Sequence, residues 1–167
     1  MRVLALDLAT RTGWAKWDGE RRESGFVDFT PKRGESPGMR YVRFNAWLDM
    51  MIPDGRNYGA NGIWKKPDLV VYEQAWGGMK SGAAAEVALG LATRVQELCA
   101  KRGVDHTTVN GSTLKKWTTG NGHAGKPRMV SAVNERFGPP FVTDDNESDA
   151  IALLEYAKAE ILPQEGK

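Results

Sequence analysis

Apolar and polar positions near the start of the chain follow the period of a strand and later switch to that of a helix. Residues 3–8 (Val3, Leu4, Ala5, Leu6, Asp7, Leu8) read as a buried strand, with further strands at about 13–18 and 23–29. Thr12-Gly13 is expected to turn the chain between the first two, and Asp18-Gly19 between the second pair. Pro31 to Pro37 reads as a loop. Tyr41, Phe44, Leu48 and Met51 then recur at helical spacing over residues 39–51, ahead of a Gly/Asn-rich loop from Pro53 to Asn61. The run Asp68-Leu69-Val70-Val71-Tyr72-Glu73 is a second buried strand, and it ends in a carboxylate. The clearest helix spans 83–102, with Val87, Leu91, Val95 and Leu98 on one face and Gly103 as its stop. A short strand at 105–109 and two short helices near 112–117 and 127–137 follow, the helices separated by Gly120 to Gly125. A last helix at about 145–160 carries Ala150, Ile151, Leu154, Ala157 and Ile161 as its apolar stripe. There is no internal repeat. The order predicts an α/β fold: a mixed five-stranded sheet flanked by helices.

Composition sharpens this picture. A chain of 167 residues and 18.4 kDa suits a single domain over 1–167. No apolar run approaches a membrane span and the first residues do not resemble a signal peptide, so a cytoplasmic protein without membrane association is expected. The lone Cys99 excludes an internal disulfide, and two histidines with one cysteine cannot build a usual zinc site. Any metal must therefore take oxygen ligands, which favours Mg²⁺ or Mn²⁺. The net charge is only +2 but is unevenly spread. Lys101, Arg102, Lys115, Lys116, Lys126 and Arg128 face a single acid, Asp105, within one stretch. The last helix and its approach instead carry Asp144, Asp145, Glu147, Asp149, Glu155 and Glu160 against Lys158. Cations for phosphate beside carboxylates for metal fit a nuclease.

Three carboxylates stand out because burial of a charge is unfavourable without a compensating partner. Asp7 interrupts an apolar strand, Glu73 ends another, and Asp149 abuts the apolar stripe of the last helix. Asp145 and Asn146 precede Asp149 by four and three residues and share its helix face. Such a set could hold two cations that activate water and stabilise the leaving oxygen in phosphodiester hydrolysis. Asp144, Asp145 and Glu147 have an alternative role as N-cap and first-turn acids of the helix.

Four segments resemble the RuvC family of Holliday junction resolvases, which have the ribonuclease H-like fold. They are Leu6-Asp7-Leu8-Ala9-Thr10-Arg11-Thr12-Gly13-Trp14-Ala15, Val70-Val71-Tyr72-Glu73-Gln74, Leu114-Lys115-Lys116 with Thr119 to Lys126, and Asp149-Ala150-Ile151-Ala152-Leu153. The resemblance implies an endonuclease for four-way DNA junctions that uses two Mg²⁺ ions per site, with Mn²⁺ as substitute. Asp7, Glu73 and Asp149 would be metal ligands. The family's fourth ligand position holds Asn146 here, a departure that leaves Asn146 and neighbouring Asp145 as equal candidates. Lys115 and Lys126 would act at the scissile phosphate. Trp76 would enter the crossover and stack on an unpaired base. Lys80, Lys116 and Arg128 would contribute DNA contacts. Symmetric cutting implies a homodimer, for which Ala84, Ala88 and Leu91 on the 83–102 helix are interface candidates; packing of that face on the sheet is the alternative.

Other functions compete less well. Gly120 to Lys126 matches the start of a P-loop, but Pro127 stands where Ser or Thr is needed and no buried strand leads into it. An actin-like or sugar-kinase ATPase would need two such domains, so no nucleotide cofactor is expected. A nuclease for flaps, forks and other branched DNA, or a non-catalytic branched-DNA binder, remain the alternatives.

Overall fold

The computed structural model describes residues 1–55, 64–75 and 82–163. β1 (Val3–Asp7) is fully apolar until its last residue and takes the centre of the sheet. β2 (Arg11–Trp17) and β3 (Arg22–Asp28) continue from it as an antiparallel meander. α1 (Met39–Met51) leads on to β4 (Leu69–Glu73), which lies parallel to β1 on its other side. α2 (Ala83–Arg102) crosses over to β5 (Asp105–Val109), parallel to β4. α3 (Gly111–Thr119), α4 (Lys126–Phe137) and α5 (Asp145–Tyr156) complete the fold, and a wider π-helical turn (Ala157–Ile161) follows α5. The strand order is β3-β2-β1-β4-β5. The mixed five-stranded sheet flanked by helices is the architecture expected from the pattern. Among the described residues no helix is long and apolar enough to cross a membrane.

The two-residue strand period divides the core. Leu4, Leu6, Val70 and Tyr72 join Phe29, Phe44, Leu48, Leu91, Val95 and Cys99 on the side of α1 and α2. Val3, Ala5, Val71 and Val109 join Leu114, Met129, Val133, Ile151 and Leu154 on the side of α3, α4 and α5. Asp7 and Glu73 continue the second series, so both face the α5 side at the carboxyl ends of adjacent parallel strands.

Three expectations require correction. Thr12 and Gly13 do not form a turn but lie within β2, where Gly13 pairs with Asp7. The chain reverses earlier, and the Thr12 hydroxyl donates to the Ala9 carbonyl at 2.7 Å. Glycine is needed at position 13 for a tertiary reason, since a Cβ there would overlap the backbone carbonyl of Asn146 at the start of α5. Secondly, Ala88 and Leu91 are buried within the chain's own fold, Leu91 in the core beneath α2, so they cannot present a dimer surface; Ala84 is exposed. Finally, regular α-helix ends at Tyr156 rather than near 160. The Leu162 N–H donates to the Ala157 carbonyl across the wider turn, at 2.9 Å.

Candidate active site

Strand alternation and two close approaches assemble the site. Leu6 of β1 pairs with Tyr72 of β4, so the next residues, Asp7 and Glu73, emerge side by side. Asp7 is 8% exposed. Glu73 leans over the N-terminus of α3, where a Cβ at Gly111 would lie 2.5 Å from its Oε1. That helix start is fixed by Asn110, whose side-chain oxygen accepts from the Ser112 and Thr113 N–H groups. Gly13 and Gly111 are thus functional in a way the sequence reading missed. Gly13 removes a side chain where the start of α5 closes on the strand beside Asp7, and Gly111 removes one where the start of α3 closes on Glu73.

α5 brings the remaining acids. Asp144 is its N-cap and accepts from the Glu147 N–H at 3.0 Å. Glu147 turns away to accept from the Ser24 hydroxyl at 2.7 Å, tying α5 to β3. Asp145 accepts from the Lys126 ammonium at the first turn of α4. This hydrogen bond is the main cause of Asp145 being held below the usual carboxylate range and of Lys126 being held above its ordinary value. Asp149 lies one turn further along. Burial, then the charges of Glu73 and Asp145, push its carboxyl up to about 7, opposed by Lys115 and Lys126. Lys126 also interacts electrostatically with Asp7.

The structure therefore brings together Asp7, Glu73, Asp145 and Asp149 with Lys115 and Lys126. Asn146 enters through its backbone, which rests on Gly13. Lys116 is exposed on α3, and Arg128 is exposed on α4, where it pairs with Glu135 at 3.5 Å. Trp76 and Lys80 lie outside the described residues. Gly120 to Lys126 joins helix to helix, with no strand leading into it, which removes the structural context of a P-loop. Among the described residues, no three His, Cys, Asp or Glu side chains stand close enough together to hold a metal ion as they are. The donor chemistry nonetheless fits a hard divalent cation. The set is acidic and rich in oxygen donors, and mutual repulsion around Asp149 is the kind of unfavourable charge a cation offsets.

No protein-family model matches the chain, and no curated protein matches it. Solved structures do. Thermus thermophilus RuvC is similar with 18% identity and a TM-score of 0.66, over 95% of this chain and 96% of that one. T. thermophilus RuvC in complex with a Holliday junction substrate is similar with 18% identity and a TM-score of 0.67, over 92% and 90%. The likeness gives this chain the RuvC, ribonuclease H-like fold.

Proposed function

We propose that this chain is a metal-dependent endonuclease that resolves four-way DNA junctions by symmetric phosphodiester hydrolysis. The observation that carries this reading is the convergence of four carboxylates and two lysines at the carboxyl ends of β1 and β4. A similar fold solved with a Holliday junction substrate supports the choice of DNA.

Asp7, Glu73 and Asp149 are assigned as ligands of Mg²⁺, or of Mn²⁺ in its place, with two ions per site. Asp145 is preferred over Asn146 as the fourth donor, because its carboxylate belongs to the charge cluster around Asp149. When bound, the cations would acidify a water and offset charge on the phosphate undergoing attack. Lys126 neutralises the acidic cluster through Asp145 and can turn its ammonium to a phosphate oxygen. Lys115, half-buried on α3, adds fixed positive potential from the other side. By the family resemblance Trp76 would enter the branch point, while Lys80 would add a phosphate contact and Lys116 and Arg128 would extend the basic surface. Cutting both strands symmetrically calls for a homodimer, and the buried face of α2 is not its interface. With that DNA-processing role goes a proposed cytoplasmic location.

The test is cleavage of a labelled four-way junction in Mg²⁺ or Mn²⁺, beside a flap, a fork and linear duplex, with Asp7→Asn as control. Paired symmetric nicks confined to the four-way junction support the proposal. Cutting of flaps and forks as well replaces it with a broader branched-DNA nuclease. Binding without cutting in either metal overturns the catalytic assignment.

A further inference from the structure

Asp7 pairs with Gly13 across β1 and β2, and Gly13 pairs with Phe26 across β2 and β3. Paired residues on antiparallel strands project from the same face. Phe26 therefore lies in the row of Asp7, on the α5 side of the sheet, two strand spacings or about 10 Å away. Arg11 precedes Gly13 by two residues on the same face and is the diagonal neighbour of Phe26. Its guanidinium lies 3.7 Å from the centre of the Phe26 ring. The same group donates to Asp144 at 2.7 Å, so the N-cap of α5 holds the cation and the cation holds the ring.

Phe26 is 42% exposed and belongs to neither apolar core, while the Arg11 side chain is 45% exposed. Phe26 stands on the edge strand β3 with the Arg11 guanidinium over its ring and the remainder of the ring open to solvent. The combination of a fixed aromatic face and a guanidinium with unused N–H groups suits a nucleotide, through base stacking and phosphate contact. Its position matters too. Lys115 and Lys126 flank the acidic cluster on the α3 and α4 side, and Arg11 with Phe26 flanks it on the β2 and β3 side.

We propose that Arg11 and Phe26 form a DNA platform on the hairpin side of the active site, where they seat a nucleotide of the strand being cut. Phe26 stacks on its base and the outward N–H groups of Arg11 take its phosphate. This rests on the nuclease reading above.

The experiment measures binding of a fluorescent four-way junction in EDTA across a salt series for wild type, Phe26→Ala, Phe26→Tyr, Arg11→Gln and Arg11→Lys. Cleavage in Mn²⁺ and thermal melting are measured on the same preparations. Phe26→Ala is expected to weaken binding about tenfold while leaving the salt slope unchanged. Arg11→Gln is expected to reduce that slope by about one phosphate contact. Phe26→Tyr and Arg11→Lys should restore most of each loss, which a purely structural role would not require. If the wild type binds and cuts while Phe26→Ala and Arg11→Gln match it, the platform is refuted and the nuclease reading stands. Weakened binding that tracks a lowered melting temperature and is not rescued by the ring or charge-conserving variants also refutes it. A wild type that binds no branched DNA overturns both readings.

Discussion

On β1 the side chains of Leu4 and Leu6 enter the α1 and α2 side of the sheet, whereas Val3, Ala5 and Asp7 enter the α5 side. The first side is closed with large rings: Phe29, Phe44 and Trp47 meet at centroid distances of 5.4 to 5.7 Å, and Tyr72 is 1% exposed. The second has an aliphatic centre with Trp17, Phe137 and Tyr156 partly buried at its margin, and at the carboxyl ends of β1 and β4 it gives way to carboxylates and lysines. One sheet thus separates two tasks by a period of two residues. The α1 and α2 side supplies burial along its length, and the α5 side tolerates unfavourable charge at one end because the other side and its own buried core hold the fold. Asp149, with its carboxyl pushed up to about 7, is where that tolerance is most visible.

Neighbouring residues should therefore fail in opposite ways. Asp7→Asn removes a donor worth several kcal/mol of transition-state stabilisation, so junction cleavage should fall by about 10³-fold or more. Binding and melting temperature should stay near wild type, as gel shift and calorimetry would report. A variant that cuts at the wild-type rate would end the site assignment. Leu6→Ala, one residue away, opens a cavity among fully buried side chains and should lower unfolding free energy by about 2–5 kcal/mol in urea titration. Its cleavage rate per folded molecule should be nearly unchanged below the melting transition. Equal losses of chemistry from both variants would show that the two faces are not separable.

Asp149→Asn sharpens the comparison through pH. A carboxyl raised from 3.8 to about 7 binds its proton more tightly in the folded than in the unfolded chain. Wild-type stability from this group is therefore greatest below pH 4, falls as pH rises toward 7, and is level above it. The shift sets an upper bound of about 4 kcal/mol, and solvent relaxation should reduce it to about 2–4 kcal/mol. In metal-free buffer the variant should match wild type near pH 4 and exceed it by that amount at pH 8, while losing cleavage. A stability difference independent of pH would mean that burial, with repulsion from Glu73 and Asp145, does not raise the Asp149 carboxyl.

Much of this was legible in the residues. Asp7 and Glu73 stood out because a charge ending or interrupting an apolar strand is unfavourable without a partner, and helical spacing located α1 and α2 to the residue. What was misread depends on tertiary neighbours. Thr12-Gly13 has the local chemistry of a turn, yet the glycine answers to the backbone of Asn146, more than a hundred residues away. The apolar face of α2 was correctly found, but periodicity does not say whether a sheet or a second subunit covers it; the sheet does. Spacing alone left Asp145 and Asn146 as equal candidates for the fourth donor, and Asp145 is proposed because its charge acts on Asp149. Phe26 was invisible beside Asp7 because two strand registers are needed to place them in one row.

The smallest effect tests how the functional end is held in place. Asp144 caps α5 by accepting from the Glu147 N–H, and it also pairs with Arg11. The two roles respond differently to substitution. Asparagine keeps an oxygen for the cap but loses the charge, whereas alanine loses both. Removing an N-cap costs about 1 kcal/mol, and a partly exposed ion pair contributes about 0–1 kcal/mol that salt screens further. Asp144→Ala should thus lower unfolding free energy by about 1 kcal/mol, with Asp144→Asn recovering more than half of it. The residual deficit of the asparagine variant should shrink in about 0.5 M salt if it is electrostatic. If asparagine is as damaging as alanine and salt makes no difference, the cap is not what anchors the first turn, and the packing of Gly13 against Asn146 must hold α5 over Asp7 on its own.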